Sequence, residues 1–354
     1  MNILQLSRTM GQGGAEKVVF QISKELSKNN NVYIASTGGI FEEKLENIGV
    51  KCIKIPDMNS KNIFLIIETL IKLFSIIKKY DIQIIHSHHR MAAFYSRLIK
   101  FFYKNVKTIY TAHNVFYNKK KLLRFSLKDS KIIAVGDSVK TNLIDFYGLN
   151  GKEIKVIYNS IEKKENGEKP RDEIFLHREN KILIGNIGRL NEQKGIDIFI
   201  KAISDIIKYN KNVIGIIVGE GKEELKLKEL VKVLNIEKNI KFLGFRTDVT
   251  EIIEQLDFIV LSSRWEGLPL TIIETFMMQK TMIASNINGN NEIIKDGYNG
   301  LLFEKDNIKE LTEKINMIIN DNKLRNKLSE NAKKTYNEKF IYSKFIEDYK
   351  ALYK

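Results

Sequence analysis

The stretch ILIGNIGRLNEQKGIDIFIKAI, residues 182–203, joins a short apolar run to a longer amphipathic run through a polar loop. The first run has the length and composition of a buried strand, and the second has the length of a helix. A strand that feeds a helix through a glycine-containing loop is typical of the βα units of a parallel sheet. The same succession recurs on both sides of this stretch, so the sequence predicts an α/β fold.

The repeated succession also predicts two domains. Strands are predicted at residues 3–7, 32–36, 52–55, 82–86, 107–112, 131–135 and 154–158, and again at 182–188, 213–219, 240–244, 258–262 and 281–285. The polar segment after Asn159 is typical of a linker. We therefore predict a Rossmann-like domain over residues 1–165, a linker over 166–180, a second Rossmann-like domain over 181–337, and a final helix over 338–354 that packs on the first domain. Two such doubly wound domains are expected to face each other across a cleft at the carboxyl ends of their strands.

The charge of the chain is strongly asymmetric. The net charge is +15, and residues 1–160 hold 25 Lys and Arg against 12 Asp and Glu, which gives +13 for that half alone. Such an excess predicts an anionic partner for the first half, although a lysine-rich composition would also produce it. The single cysteine, Cys52, excludes an internal disulfide and agrees with a cytoplasmic location.

Two loops carry residues suited to phosphate groups. Gly13 and Gly14 precede a predicted helix, whose free N–H groups and dipole favour an anion. Arg189 and Lys194 follow a strand of the second domain, where a planar guanidinium and a point charge could together hold a phosphate. Each loop alone is equally compatible with a simple turn or with solvated charges.

Three further loops leave strands of the second domain. Gly219 ends one predicted strand, and Gly244, Phe245 and Arg246 end the next, where they could border a flat ring. The segment SSRWEGLPLTIIETF, residues 262–276, leaves a third strand and enters a helix. It places one glutamate, Glu266, in the loop and a second, Glu274, about one and a half turns into the helix.

These motifs together resemble the retaining glycosyltransferases of family 4, which have the GT-B fold. The resemblance covers nearly the whole chain and rests on GGAEKV at 13–18, TAHN at 111–114, VIYNSI at 156–161, GRLNEQKG at 188–195 and the E-x7-E element of WEGLPLTIIE at 265–274. It implies a sugar donor linked to a nucleoside diphosphate, UDP by default, and no cofactor or metal.

The resemblance also implies a role for each matching residue. Arg189, Lys194 and Gly14 would bind the diphosphate, Glu266 the hydroxyls of the transferred sugar, and Glu274 the ribose. His113, from TAHN, would lie near the sugar, and the other expected contacts are Gly13, Gly219, Gly244, Phe245, Arg246, Gly267, Leu268, Pro269 and Leu270. Cations at the leaving diphosphate would stabilise the transition state more than the ground state. The two glutamates are thus expected to bind hydroxyls and not to form an acid/base pair.

Two sequence features depart from a simple site. HSHHR, residues 86–90, holds three histidines, but no carboxylate or cysteine nearby completes a metal site, and lining of the acceptor side is the preferred interpretation. At the start of NINGNNEIIKDGYNG, residues 286–300, a single glycine, Gly289, lies among Asn288, Asn290 and Asn291, where the family often has a glycine-rich turn. The contacts of that loop are therefore left open.

The basic segment 97–131 predicts a partner for the first domain. It contains ten Lys and Arg against one acid, with Leu122, Leu123, Phe125 and Leu127 among the cations. An amphipathic basic element suits an anionic membrane surface. We therefore expect a glycan or lipid-linked acceptor at the inner face of the cell membrane, with a lysine-rich soluble surface as the alternative.

Other functional classes fit the sequence less well. No helix-turn-helix or aromatic RNA-binding motif accompanies the basic charge, which argues against a nucleic-acid partner. GQGGAE does not match the dinucleotide fingerprint, and no ribose-binding acid follows it, which argues against an oxidoreductase. The remaining alternatives are a nucleotide-sugar epimerase of the same fold and a basic, non-catalytic protein that binds glycans or membranes.

Overall fold

The computed structural model describes residues 1–163, 170, 172–176, 178 and 180–354, which fold into two compact units. The first unit comprises Met1–Ser160 and Tyr342–Lys354, and the second comprises Ile161–Ile341. Much of the predicted linker, residues 166–169, 171, 177 and 179, lies outside the described residues. A short helix, Glu173–Leu176, falls within the rest of it.

The first unit is built on a seven-stranded sheet in which all strand pairs are parallel. In chain order its strands are β1 (Asn2–Leu6), β2 (Asn31–Ser36), β3 (Lys51–Lys54), β4 (Ile84–Ser87), β5 (Lys107–Ala112), β6 (Lys131–Ala134) and β7 (Ile154–Val156), and in space they run β3-β2-β1-β4-β5-β6-β7. The strand order therefore reverses between β1 and β4, which is where doubly wound sheets bind ligands.

The helices of the first unit cover both faces of this sheet and enclose its core. They are α1 (Gly14–Ser27), α2 (Glu42–Glu46), α3 (Ile63–Lys79), α4 (Arg90–Phe102), α5 (Lys120–Leu127), α6 (Asp137–Asp145) and the last helix of the chain, α14 (Tyr342–Tyr353). Leu73, Ile76 and Ile77 of α3 pack with Tyr95 and Ile99 of α4 in one buried cluster. Apolar residues at helical spacing drive this packing, because burying each side chain stabilises the fold by about 2 kcal/mol.

The second unit repeats the architecture with a six-stranded parallel sheet. Its strands are β8 (Ile182–Ile187), β9 (Val213–Val218), β10 (Ile240–Phe242), β11 (Phe258–Leu261), β12 (Met282–Ser285) and β13 (Leu301–Phe303), in the spatial order β10-β9-β8-β11-β12-β13. Its helices are α7 (Glu173–Leu176), α8 (Ile196–Ile206), α9 (Glu224–Val233), α10 (Val249–Gln255), α11 (Leu270–Met277), α12 (Ile308–Asn320) and α13 (Asn322–Lys339). Here the order reverses between β8 and β11.

The prediction of two parallel, doubly wound α/β sheets is confirmed. The predicted strands recur with boundaries shifted by a few residues, and β13 is an additional edge strand that the sequence did not indicate. It has only three residues, so it lacks the length on which a periodicity can be recognised. The opening stretch is β8, a loop with a short 3₁₀ turn at Glu192–Lys194, and α8.

Candidate functional site

The loops that follow β8 and β11 meet at the point of the second unit where the strand order reverses. β8 and β11 are hydrogen-bonded neighbours, so the residues after their carboxyl ends emerge side by side. The first loop carries Arg189 and Lys194, and the second carries Glu266. The fold thus brings together two segments that are about 70 residues apart in sequence.

An ion pair joins these two loops. Lys194 Nζ lies 2.5 Å from Glu266 Oε1, and the two side chains are only 16 % and 7 % exposed. The same carboxylate oxygen accepts a 2.7 Å hydrogen bond from Ser263 Oγ. A carboxylate this deeply buried needs such partners, because an unpaired buried charge is strongly destabilising.

A second layer of polar groups holds the Glu266 loop in place. Ser285, at the end of β12, donates from Oγ to the carbonyl of Ser263, and Asn290 Nδ2 donates to the carbonyl of Ser285 over 2.9 Å. All three side chains are buried. The position of the glutamate is therefore fixed by β12 and the loop that follows it, as well as by its own loop.

Gly289 explains how the loop after β12 reaches the Glu266 loop. Its φ is +90°, and a Cβ at this position would lie 2.2 Å from the carbonyl oxygen of Gly267. Only glycine fits such a contact with such a backbone angle. The single glycine of NINGNN thus lies at the one place where the close approach requires it, which answers the question that the sequence left open.

Glycines also shape the neighbouring loops. A Cβ on Gly188 would lie 3.0 Å from Lys194 Cε, so the lysine stem runs directly over this glycine. Gly219, which follows β9 with a φ of +134°, lies against the carbonyl of Gly188. Neither position has room for a side chain, so these glycines allow the loops after β8 and β9 to pack closely against each other and against Lys194.

Arg189 and Glu274 differ sharply in burial. The Arg189 side chain is exposed, and its guanidinium has no hydrogen bond or ion pair within the described parts of the chain. Glu274 lies in α11, where it is 5 % exposed. Leu268, Pro269 and Leu270, between the two glutamates, are buried as well.

The loop after β10 is held by acids. The backbone N–H of Phe245 donates to Glu220 Oε1 over 3.3 Å, and Gly244 has a φ of +66°. The Arg246 guanidinium pairs with Asp172 at 2.8 Å and with Asp248 at 2.5 Å, and these carboxylates raise its pKa above the ordinary range. The hydrogen-bonding edges of Arg246 are thus occupied, which leaves its flat face for the predicted contact with a base.

In the first unit, the loop after β1 leads into α1. Gly13 is the N-cap residue and Gly14 the first residue of the helix, with no side chain that caps the first turn. By helix geometry the first N–H groups lack intrahelical partners. Glu16, in this first turn, accepts a 2.7 Å hydrogen bond from Thr9 Oγ1, so one acid already lies near the helix end.

His113 belongs to a buried polar cluster on the same unit. Its Nε2 lies 3.1 Å from Nδ1 of His88, which follows β4, and His88 Nε2 lies 2.8 Å from Oε1 of Gln5 on β1. Tyr353, near the end of α14, lies 2.9 Å from Gln5 Nε2 and 2.5 Å from His86 Nδ1. Burial lowers the pKa of His86 to about 3 and that of His113 to about 4, so these rings are neutral at pH 7.

Sequence reasoning missed the partners of the predicted residues. It assigned Lys194 and Glu266 to different parts of a donor, and their direct pairing follows only from the adjacency of β8 and β11. Gln5, Ser263 and Ser285 were not singled out at all, because single polar residues at strand ends carry no motif.

Among the residues that the structure describes, no group of three His, Cys, Asp or Glu side chains is placed to hold a metal ion, and no helix is long and apolar enough to cross a membrane.

Comparisons with known proteins show the family and the fold of this chain. The model for "Glycosyltransferase Family 4" matches residues 12–165, and that for "Glycosyl transferases group 1" matches residues 167–335. An uncharacterised glycosyltransferase of Methanocaldococcus jannaschii is 32 % identical over 79 % of this chain and 77 % of its own. A UDP-Gal:alpha-D-GlcNAc-diphosphoundecaprenol alpha-1,3-galactosyltransferase of Escherichia coli is 27 % identical over 90 % of this chain and 87 % of its own. The crystal structure of Anabaena HepE with UDP-glucose has a similar fold, with a TM-score of 0.84, 22 % identity and 98 % of each chain covered.

Proposed function

We propose a specific reaction for this chain, which belongs to the family 4 glycosyltransferases with the GT-B fold. The chain transfers a hexose from a UDP-linked donor, with retention of anomeric configuration, to a glycan or a lipid-linked glycan. The observation that carries this proposal is the buried Lys194–Glu266 pair at the strand-order reversal of the second unit. It supplies a cation and a hydroxyl-binding acid side by side, where open α/β sheets bind ligands.

Lys194 has the donors to serve both partners at once. An ammonium group carries three N–H donors, and one of them is directed at Glu266. The remaining donors suit a phosphate oxygen of the leaving diphosphate, with the exposed Arg189 guanidinium as a second cation. As the anomeric C–O bond breaks, negative charge grows on that diphosphate, and cations fixed beside it lower the barrier. Glu266 binds a sugar hydroxyl, and Glu274 binds the ribose.

A donor experiment tests this reaction. Release of UDP from a panel of nucleotide sugars is measured with and without acceptor, for the wild type and for Arg189→Ala. Because the Arg189 side chain is exposed and its guanidinium makes no hydrogen bond or ion pair among the described residues, its removal should leave the melting temperature unchanged and lower kcat about 100-fold. The NMR coupling of the product's anomeric proton reports whether configuration is retained. A wild type that acts on none of the donors would refute the proposal. An Arg189→Ala variant with normal kcat would refute the role of this residue.

The acceptor side of the proposal is supported by a basic cavity in the first unit. A cavity of about 160 Å³ lies beyond the carboxyl ends of β3, β4 and β5, and its lining includes His89, Arg90 and Lys119. Burial lowers the pKa of His89 to about 4, so the cavity's positive charge comes from Arg90 and Lys119. Two cations in a cavity of this size suit a phosphate group, and the Escherichia coli relative acts on a diphosphate-linked acceptor. We therefore assign the phosphate of a lipid-linked acceptor to this cavity.

Acceptor variants test that assignment. Lys119→Ala should raise KM for an acceptor that carries a lipid diphosphate about tenfold, and should leave KM for the donor unchanged. Lys104→Ala, an exposed lysine beyond the end of α4, is the matched control. An equal effect of both variants would show that only the general positive charge matters.

The inner face of the cell membrane is the proposed location of the enzyme. On α4 and α5, Phe101, Phe102 and Phe125 are 51 %, 75 % and 41 % exposed. Arg97 lies over the rings of Phe101 and Phe125, with its guanidinium carbon 4.8 and 5.9 Å from their centres. Exposed aromatic rings among lysines are typical of elements that bind anionic lipid surfaces.

Vesicle flotation tests the membrane contact. The wild type should float with vesicles that contain anionic lipid at low salt, and the Phe102→Ser/Phe125→Ser variant should not. Lys208→Glu, an exposed position of the second unit, is the control for charge alone. If the wild type does not float with anionic vesicles at low salt, the proposed membrane contact is refuted and the lysine-rich surface does not bind lipid.

The nucleotide-sugar epimerase is the competing enzyme. It would convert one UDP-sugar into its epimer, with or without an acceptor, and yield no glycoside, whereas a transferase needs the acceptor and forms a glycoside. The basic, non-catalytic alternative predicts no turnover of any donor. NMR spectra of the reaction mixtures, which report the sugar of the donor as well as the product, therefore separate all three.

A further inference from the structure

A chain of hydrogen bonds in the first unit determines which ring nitrogen of His113 carries a proton. It begins at Gln5, whose Nε2 donates to the Tyr353 hydroxyl over 2.9 Å. The Gln5 Oε1 atom therefore points the other way, and it lies 2.8 Å from His88 Nε2. A carbonyl oxygen only accepts hydrogen bonds, so His88 must donate from Nε2.

The proton on His88 fixes the proton on His113. A neutral imidazole carries one ring proton, so His88 Nδ1 has a lone pair and accepts. The group 3.1 Å from it is His113 Nε2, which must therefore donate. Burial lowers the pKa of both rings, so both are neutral at pH 7 and each has one proton to place.

The remaining nitrogen of His113 is then a bare acceptor. His113 Nδ1 is buried and has no hydrogen-bond partner among the described residues. A buried polar atom without a partner is uncommon, because it loses its hydrogen bond to water without gaining another. A ligand that donates a hydrogen bond at this position would satisfy it, and a hydroxyl group is such a donor.

We propose that Gln5 and His88 are positioning residues that hold His113 in the Nε2–H tautomer, so that Nδ1 accepts a hydrogen bond from a hydroxyl of the substrate bound by the first unit. This inference rests on the proposed function. The opposite tautomer would present an N–H to the hydroxyl and could bind only its oxygen. The tautomer thus determines which side of the hydroxyl is bound, and it fixes the direction in which the hydroxyl proton points.

Tyr353 links Gln5 to a further histidine. Its hydroxyl accepts from Gln5 and lies 2.5 Å from His86 Nδ1, and His86 Nε2 lies 2.8 Å from Thr111 Oγ1. If the Gln5 amide were reversed, His88 would accept at Nε2 and donate from Nδ1, and His113 would carry its proton on Nδ1. The orientation of the Gln5 amide, which contacts Tyr353 on α14, is therefore transmitted to His113.

The first test measures the tautomer directly. Histidine is labelled with ¹⁵N, and two-bond correlation spectra of the unliganded protein at pH 7 distinguish protonated from unprotonated ring nitrogens. His113→Gln identifies the signals of His113. We expect a protonated Nε2 and an unprotonated Nδ1 for His113, and the same for His88. A protonated Nδ1 on His113 would overturn the inference, whether or not the protein transfers a sugar.

The second test uses two tyrosines of the same helix. Tyr353→Phe removes the hydroxyl that orients Gln5, whereas Tyr349→Phe removes a buried hydroxyl that lies 3.4 Å from Thr111 Oγ1 and does not touch Gln5. Tyr353→Phe should give a mixture of His113 tautomers and lower kcat about tenfold, the worth of one well-placed hydrogen bond. Tyr349→Phe should leave the tautomer and kcat unchanged. A mixed tautomer with normal kcat would overturn the role of Nδ1 toward the substrate.

Substitution of Gln5 separates positioning from packing. Gln5→Glu keeps an oxygen that accepts from His88 Nε2, so it should retain the Nε2–H tautomer of His113, whereas Gln5→Met has similar length and no acceptor oxygen and should lose it. Melting temperatures show whether each variant is folded. If Gln5→Met retains both the tautomer and kcat, Gln5 does not position His113. A wild type that acts on no donor would refute the proposed function instead, and the spectra would still report the tautomer.

Discussion

Replacement of Lys194 by methionine is expected to destabilise the second unit as well as to impair catalysis. Methionine is similar in length but leaves the Glu266 carboxylate, only 7 % exposed, without its cation. One good hydrogen bond remains, from Ser263 at 2.7 Å, because Gln193 lies 3.5 Å from the other oxygen. Removing one partner of a buried ion pair costs about 3–5 kcal/mol, and the remaining hydrogen bond places this case at about 3 kcal/mol. For a unit of this size the melting temperature should fall by roughly 9 °C.

The single variant Lys194→Met leaves the buried Glu266 carboxylate without its cation. The double variant Lys194→Met/Glu266→Gln also removes that negative charge. It should be less stable than the wild type by only about 1 kcal/mol, since replacing both members of a buried pair is often nearly neutral. Urea unfolding can be followed by the fluorescence of Trp265, the only tryptophan, which is adjacent to Glu266.

Lys208→Met is the matched control for that series. It breaks a pair of similar length, 2.6 Å, whose side chains are 62 % and 45 % exposed, and we expect no measurable change. If Lys194→Met is as stable as Lys208→Met, or if the double variant is no better than the single one, the buried pair does not exist in solution and the site geometry is wrong.

Three further outcomes are expected. Gly289→Ala should lower stability by about 2 kcal/mol more than Gly297→Ala in urea melts, because both have a positive φ but only the first would push a Cβ to 2.2 Å from the carbonyl of Gly267. The unfolded chain takes up a proton on His86 below pH 6.5, whereas the folded unit, in which burial lowers that pKa to about 3, does not. The contribution of His86 to stability is therefore fully present above pH 6.5 and should be lost as the pH falls to about 3, and His86→Gln should flatten this decline. Arg246→Met should destabilise the second unit by about 2 kcal/mol, because two aspartates lose their cation, and an unchanged melting curve would contradict the network.

Much of the fold could be predicted because both sheets are parallel and buried. Strands such as Val213–Val218 are continuous apolar runs, and the helices after them have regular apolar spacing. The alternation of strands and helices can therefore be recognised from a single sequence. The spatial order of the strands is a different matter. Nothing in residues 182–187 indicates that they lie beside 258–261, because that pairing depends on packing across the whole unit.

The candidate site was predictable to the extent that it consists of motifs. Arg189, Lys194, Glu266 and Glu274 stand in recognisable segments, and their roles toward a donor stay predictions. The contacts that fix them are long-range hydrogen bonds such as Ser285 to Ser263, which leave no local pattern. In the same way, Gln5 is one polar residue in an apolar strand, and only the structure connects it with His88.

The placement of Tyr353 bears on how this chain is made. The ribosome completes the first sheet's strands and then the entire second unit before it reaches this tyrosine, whose hydroxyl meets Gln5 from 348 positions away. During synthesis, Gln5 and His86 would lack the Tyr353 hydroxyl that both contact in the folded unit. The nascent first unit should therefore remain loosely packed until α14 has been synthesised. A chain that ended before Tyr353 would keep most of the secondary structure and yet deprive Gln5 and His86 of the hydroxyl that they both contact.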